Sequence, residues 1–106
     1  MRYISERPTD PGLLVLSSLA GGPKHGYAIT RDVEDVAGVK LGPGTLYGAL
    51  ARLEDKGLIK ALAAEGRRRP YRLTAEGSLA LQAQLQALDR IVSAGLERLR
   101  AAGARV

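Results

Sequence analysis

The chain has 106 residues, enough for one small domain, and 16 Lys and Arg against 11 Asp and Glu leave a net charge of +5. Without cysteine and with a single histidine, it has no disulfide, no thiol nucleophile and no ligand set for zinc, and its acids are scattered, so neither an enzyme nor a bound metal or cofactor is expected. No apolar run is long enough to cross a bilayer or serve as a leader, which makes a cytoplasmic protein the expectation.

Residues 1–9 show no periodicity and read as an N-terminal arm. Asp10-Pro11 then forms an N-cap followed by the first helical position, where proline's missing N–H is no loss. Residues 12–20 hold Leu13, Leu14, Val15, Leu16 and Leu19. They are apolar nearly all round, so this helix belongs inside, and Gly21-Gly22-Pro23 stops it. A second helix over residues 25–37 has a buried stripe of Ile29, Val33 and Val36, with Gly38 at its end. A short connector leads to a third helix that opens at Pro43 and closes before Gly57.

In the third helix Leu46, Leu50 and Leu53 recur at i, i+4 and i+7 and face the core. Its other face is Gly44, Thr45, Gly48, Ala51 and Arg52, small or polar, with the Tyr47 phenol beside it. A helix this smooth fits the DNA major groove. Two helices joined by a short glycine-containing turn, with a third behind them, form a helix-turn-helix.

After Gly57 the period becomes two. Leu58, Lys60 and Leu62 alternate with Ile59, Ala61 and Ala63, and Tyr71-Arg72-Leu73 answers across a turn. The hairpin tip carries Gly66, Arg67, Arg68 and Arg69, and residues 65–72 hold four arginines and one acid. Clustered positive charge beside a groove-sized helix suggests a polyanion. Thr74 is a good N-cap for a last helix, with Glu76 in its first turn. There Leu81, Leu85, Leu88, Val92 and Leu99 follow a heptad-like spacing, with Gly95 at the skipped position and Leu79, Ile91 and Leu96 widening the stripe. Three short helices and a hairpin offer too little surface to cover that seam, so it points to a homodimer.

The fold class is therefore mainly α with a small β-hairpin: a winged helix-turn-helix over residues 10–73 and a long dimerisation helix over residues 74–106. Leu13 to Leu19, "GPKHGYAI" at residues 22–29, "GPGTLYGALARLEDKGLI" at residues 42–59 and "YRLTAEG" at residues 71–77 together resemble the PadR family of bacterial transcriptional regulators, in its compact form. The resemblance covers roughly residues 12–80. It implies a winged-helix DNA-binding domain, a dimerising C-terminal helix, and repression of a promoter relieved by a small molecule or stress signal. Carried over by position, Thr45, Tyr47 and Arg52 fall on the family's recognition helix, His25 and Tyr27 at the start of the preceding helix, and the three arginines on its wing. The chain has no tryptophan, so the resemblance does not extend to the flat drugs that some compact members hold between tryptophans.

The expected DNA contacts are Tyr27, Gly44, Thr45, Tyr47, Gly48, Arg52, Arg67, Arg68 and Arg69. Thr45 can meet a thymine methyl or a base edge, and Gly44 and Gly48 allow close backbone approach. Tyr47 and Arg52 can meet phosphates, and the wing arginines a minor groove or its phosphates. For Tyr27 and Tyr47 packing is the competing role, and for His25 a helix cap. Leu81, Leu85, Leu88, Val92 and Leu99 are the expected dimer contacts. The partners expected are an operator in double-stranded DNA, a second copy of the chain and an inducer, with no membrane. A protein–protein module that leaves the DNA face idle is the rival, and the wing arginines count against it.

Overall fold

A computed structural model describes residues 10–106; the arm expected over residues 1–9 lies outside the described residues. The Asp10 carboxylate accepts the Leu13 N–H at 3.0 Å and caps α1, Pro11–Leu19. Leu13, Leu14, Val15, Leu16 and Leu19 are all buried, so α1 is the central rod against which α2, α3, α4 and β3 pack. Around it run β1 (Lys24–His25), α2 (Gly26–Ala37), α3 (Pro43–Asp55), β2 (Ile59–Ala61), β3 (Pro70–Leu73) and α4 (Ala75–Ala101).

The helix ends obey local chemistry. Gly38 (φ +69°) and Gly57 (φ +74°) take the left-handed conformation that closes α2 and α3. At the end of α3 Gly57 N–H donates to the Glu54 carbonyl and Leu58 N–H to the Leu53 carbonyl, both at 2.9 Å. That paired closure is a Schellman motif. Leu46, Ala49, Leu50 and Leu53 bury the inner face of α3, and Ile29 and Val33 that of α2.

Val36 departs from the expected α2 stripe, with 77% of its surface exposed. Val39 and Leu41 of the connector are buried instead and fill the core past the last turn of α2, leaving Val36 on the rim of a shallow crevice beside Leu14 and Ser18. The expected two-stranded hairpin is a three-stranded antiparallel sheet in the order β1-β3-β2. Lys24 faces Tyr71 and His25 faces Pro70, while Ile59, Lys60 and Ala61 face Leu73, Arg72 and Tyr71. Pro70 opens the central strand, the position where a missing ladder donor is tolerated.

Thr74 joins two elements with one side chain. Its hydroxyl accepts the Gly77 N–H at 3.0 Å, capping α4, and donates to the Gly57 carbonyl at 2.7 Å. The start of α4 is thereby fixed to the end of α3. Only Leu81 of the expected seam is buried within the chain; Leu85, Leu88, Val92 and Leu99 are open. At 27 residues and ~1.5 Å per residue, α4 reaches about 40 Å and runs well past the domain. Leu79 does not widen the stripe: at 100° per residue it points away from Leu81, and it is 68% exposed. Ile91 lies on the flank of the stripe and is equally open.

Candidate nucleic-acid interface

The exposed face of α3 begins at its N-terminus with Gly44 and Thr45 in open surface, where a Cβ on Gly44 would meet nothing within 4 Å. One turn on, Gly48 is half-buried, and the Arg52 guanidinium folds back along it, 3.5 Å from where a Cβ would stand. A Cβ at Gly48 would make only ordinary contact with Arg52, so the glycine is not required for that placement.

Tyr47 is 55% exposed and is not a core residue. Its ring leans away from the core toward the start of α2, and a Cβ on Gly26 would stand 2.7 Å from the phenol oxygen. Gly26 is buried, and its lack of a side chain is what lets the Tyr47 hydroxyl settle there. Tyr27 is also open, at 61%. The Arg31 guanidinium, one turn along α2, donates to the Tyr27 hydroxyl at 3.2 Å and lies 5.8 Å from the ring centroid. That hydrogen bond, with Tyr27 and Asp35 nearby, holds Arg31 more firmly charged.

The wing tip is a tight turn over residues 65–68. Glu65 N–H donates to the Arg68 carbonyl at 2.6 Å and Arg68 N–H returns the bond at 3.0 Å. Gly66 at the first central position has φ +64° and Arg67 has no positive φ, as a type II′ hairpin turn requires. The three wing arginines are therefore not equivalent. Arg67 projects from the tip with no side-chain partner among the described residues. Arg69 donates to the Leu62 carbonyl at 2.8 Å and braces the wing, and Arg68 turns inward to His25.

His25 is the N-cap of α2, as its position suggested: its Nδ1 accepts the Ala28 N–H at 3.3 Å. Its Nε2 lies 3.3 Å from Arg68 Nη1, a contact across 43 residues that nothing in the sequence announces. Behind it, burial pushes the Tyr71 phenol above its ordinary range, Glu54 and Tyr47 add to that, and Arg69 opposes it. His25, Tyr27, Tyr47, Tyr71 and the three arginines line one concavity of about 340 Å³. Gly44, Thr45, Gly48 and Arg52 continue the surface along α3. Sequence reasoning did not single out Arg31, although its i+4 spacing from Tyr27 was a usable signal.

The fold and this surface can be set beside known proteins. The model of the Transcriptional regulator PadR-like family matches residues 15–83, well over half of the chain. The chain belongs to the PadR family. Its relatives include the "Transcriptional regulator Rv3488" of Mycobacterium tuberculosis, 37% identical over 82 residues that make up 74% of this chain and 76% of that protein. An uncharacterized 37.1 kDa protein in transposon TN4556 of Streptomyces fradiae is 49% identical over 85 residues, 80% of this chain but 25% of that one. The chain thus spans about a quarter of the length of the Streptomyces protein and about three quarters of the mycobacterial one. Among solved structures, a PadR family transcription regulator from Clostridium difficile R20291 superposes with a TM-score of 0.75 at 31% identity, covering 84% of this chain and 97% of that one. Relatives in this family are named as transcriptional regulators, and the chain shares their winged-helix fold. Among the described residues no helix is long and apolar enough to cross a membrane.

Proposed function

We propose that the protein is a homodimeric repressor that binds a pseudo-palindromic operator sequence-specifically and is released by a small-molecule or stress signal. One observation carries the reading: the smooth, exposed outer face of α3 is flanked by a concavity with three arginines and no acid. α3 enters the major groove, where Thr45 reads base edges and the bare backbone of Gly44 and Gly48 permits close approach. Tyr27, Tyr47 and Arg52 contact phosphates on either side, and Arg67, Arg68 and Arg69 bring the wing to the neighbouring minor groove and its backbone.

The dimer forms along α4. Leu85, Leu88, Val92 and Leu99 are 44%, 39%, 54% and 49% exposed in the single chain. Covering the open part of each contributes about 1 kcal/mol. Two-fold symmetry then sets the recognition helices about one DNA turn (~34 Å) apart. An inducer would occupy the open groove of about 490 Å³ at the foot of α4, where Ala20, Leu73, Leu81 and Leu85 meet Gln82 and Asp89.

The test is selection of bound duplexes from a random DNA pool at near-physiological salt. An inverted repeat with half-sites one turn apart is the expected product. Retention without a motif would remove the sequence-specific part of the reading, and no retention would point to a protein partner on this fold.

A further inference from the structure

We infer that His25 and Arg68 form a two-donor clamp for one phosphate of the DNA backbone, seated where α2, α3 and the wing converge. The inference rests on the DNA-binding reading above and adds a contact that the wing and recognition helix alone do not supply.

The contact between the two side chains is incompatible with the rest of the hydrogen bonding of His25. A neutral imidazole carries one proton, so one ring nitrogen donates and the other accepts. Nδ1 accepts the Ala28 N–H at 3.3 Å, which places the proton on Nε2. Nε2–H then faces Arg68 Nη1 at 3.3 Å, donor against donor, because a guanidinium has no acceptor. Only one of the two bonds can be made. The cap is the one kept: it satisfies a partly buried orphan donor of α2, and losing such a cap costs more than losing an exposed contact between side chains.

Two donors 3.3 Å apart call for an acceptor between them. An oxygen about 2.9 Å from each, the ordinary hydrogen-bond length, completes a triangle on that base, with the two side chains turning their N–H groups toward its apex. The surroundings select an anion. Arg67 and Arg69 line the same concavity, the Tyr47 hydroxyl and the Gly26 backbone stand at its floor, and no carboxylate enters it. The concavity opens beside the exposed face of α3, so the anion that reaches it while α3 occupies a groove is a phosphodiester of the same duplex. The imidazole N–H fixes position and the guanidinium supplies charge, so the contact is indifferent to base sequence.

The test uses the full chain and the duplex recovered by selection. His25 is the only histidine, so the side-chain imidazole ¹⁵N spectrum reports it alone. The free protein is expected to show the Nε2–H form, with that proton shifted and protected from exchange on adding duplex but not on adding inorganic phosphate at the same concentration. His25→Asn keeps an acceptor for the Ala28 N–H, since asparagine is a favoured N-cap, but its amide N–H groups stop short of the position of Nε2. It should melt with the parent protein and bind every duplex about fivefold to tenfold more weakly. Arg68→Gln should weaken binding and lower the slope of log K against log[salt] by about one phosphate's worth. Adding it to His25→Asn should cost less than the two losses combined.

An Nδ1–H ring, undiminished binding by His25→Asn, or an equal shift with inorganic phosphate would overturn the clamp while the parent still binds DNA. If the parent chain retains no duplex at all, the DNA reading itself fails and the clamp with it.

Discussion

Replacing Gly77 with alanine tests whether the junction between α3, the sheet and α4 is as rigid as it looks. A Cβ on Gly77 would fall on the Leu58 carbonyl oxygen, 2.9 Å from the Leu58 carbonyl carbon and 3.1 Å from Leu73 Cδ1. The carbonyl has little freedom to give way. It accepts the Thr74 N–H at 3.1 Å, and the Leu58 N–H is held by the Leu53 carbonyl at 2.9 Å. The methyl therefore has to lift the first turn of α4 or break the Thr74 bond. Overpacking costs about 1–3 kcal/mol and a lost partly buried hydrogen bond about 1 kcal/mol. Alanine's better helix propensity returns about 1 kcal/mol. The net loss is about 1–3 kcal/mol, which for a chain of this length lowers Tm by roughly 5–20 °C. Thermal unfolding followed by circular dichroism, with both proteins at one protomer concentration because a dimer's Tm depends on it, measures the difference. A Tm equal to or above the parent's would refute the reasoning, since it would mean that Leu58 and α4 part at no cost.

Other substitutions separate the roles assigned to the DNA face and to the seam. Replacing Arg67 with alanine should weaken binding to all duplexes alike and reduce the salt slope by about one unit, seen in affinity titrations at several salt concentrations; a loss confined to one sequence would make Arg67 a base reader. Thr45→Ala should flatten the preference for the selected operator over its single-base variants by about 1–3 kcal/mol at the affected position while barely changing affinity for unrelated DNA. Uniform loss would move the reading face elsewhere on α3. Leu88→Glu should convert the protein from dimer to monomer in sedimentation equilibrium, because it sets a carboxylate in an apolar seam. An intact dimer would show that the seam lies off Leu88.

The parts of the structure that were legible in the sequence are those that local chemistry decides. Asp10-Pro11, Pro43, Gly57 and Thr74 each mark a helix end through groups within four residues of themselves, and each end lies where they put it. The burial of α1 followed from leucines on every side. What stayed hidden depends on partners far away in the chain. β1 is two residues long, too short for any period, and exists because β3 offers it a ladder. Val36 fits its helical stripe, yet Val39 and Leu41 take the core space it would have filled. Gly77 looks like a weak residue for a helix start; only the Leu58 carbonyl explains it. At the site, the sequence brought the arginines to the wing but treated them as one patch. Backbone closure at Glu65 and Arg68 divides them into a projecting, an inward and a bracing residue.

The added strand also changes how the wing must behave. A hairpin attached only through its own two strands would swing about its base, and its arginines would be placed anew at each encounter. Here β3 pairs on its second edge with β1, and β1 runs without a break into α2 through His25. Bending the wing would pull on the start of α2, whose Gly26 lies beneath the Tyr47 hydroxyl of α3. The wing, the start of α2 and α3 are thus joined by direct contacts. At its other end β3 presents Leu73 to the groove that Leu81 and Leu85 of α4 share with Ala20, the residue that caps α1. A molecule seated in that groove would touch the strand that carries the wing and α4, along which the proposed dimer forms. Because binding at one site changes affinity at the other by the same factor, DNA would alter the groove's affinity as much as the groove's occupant alters DNA binding.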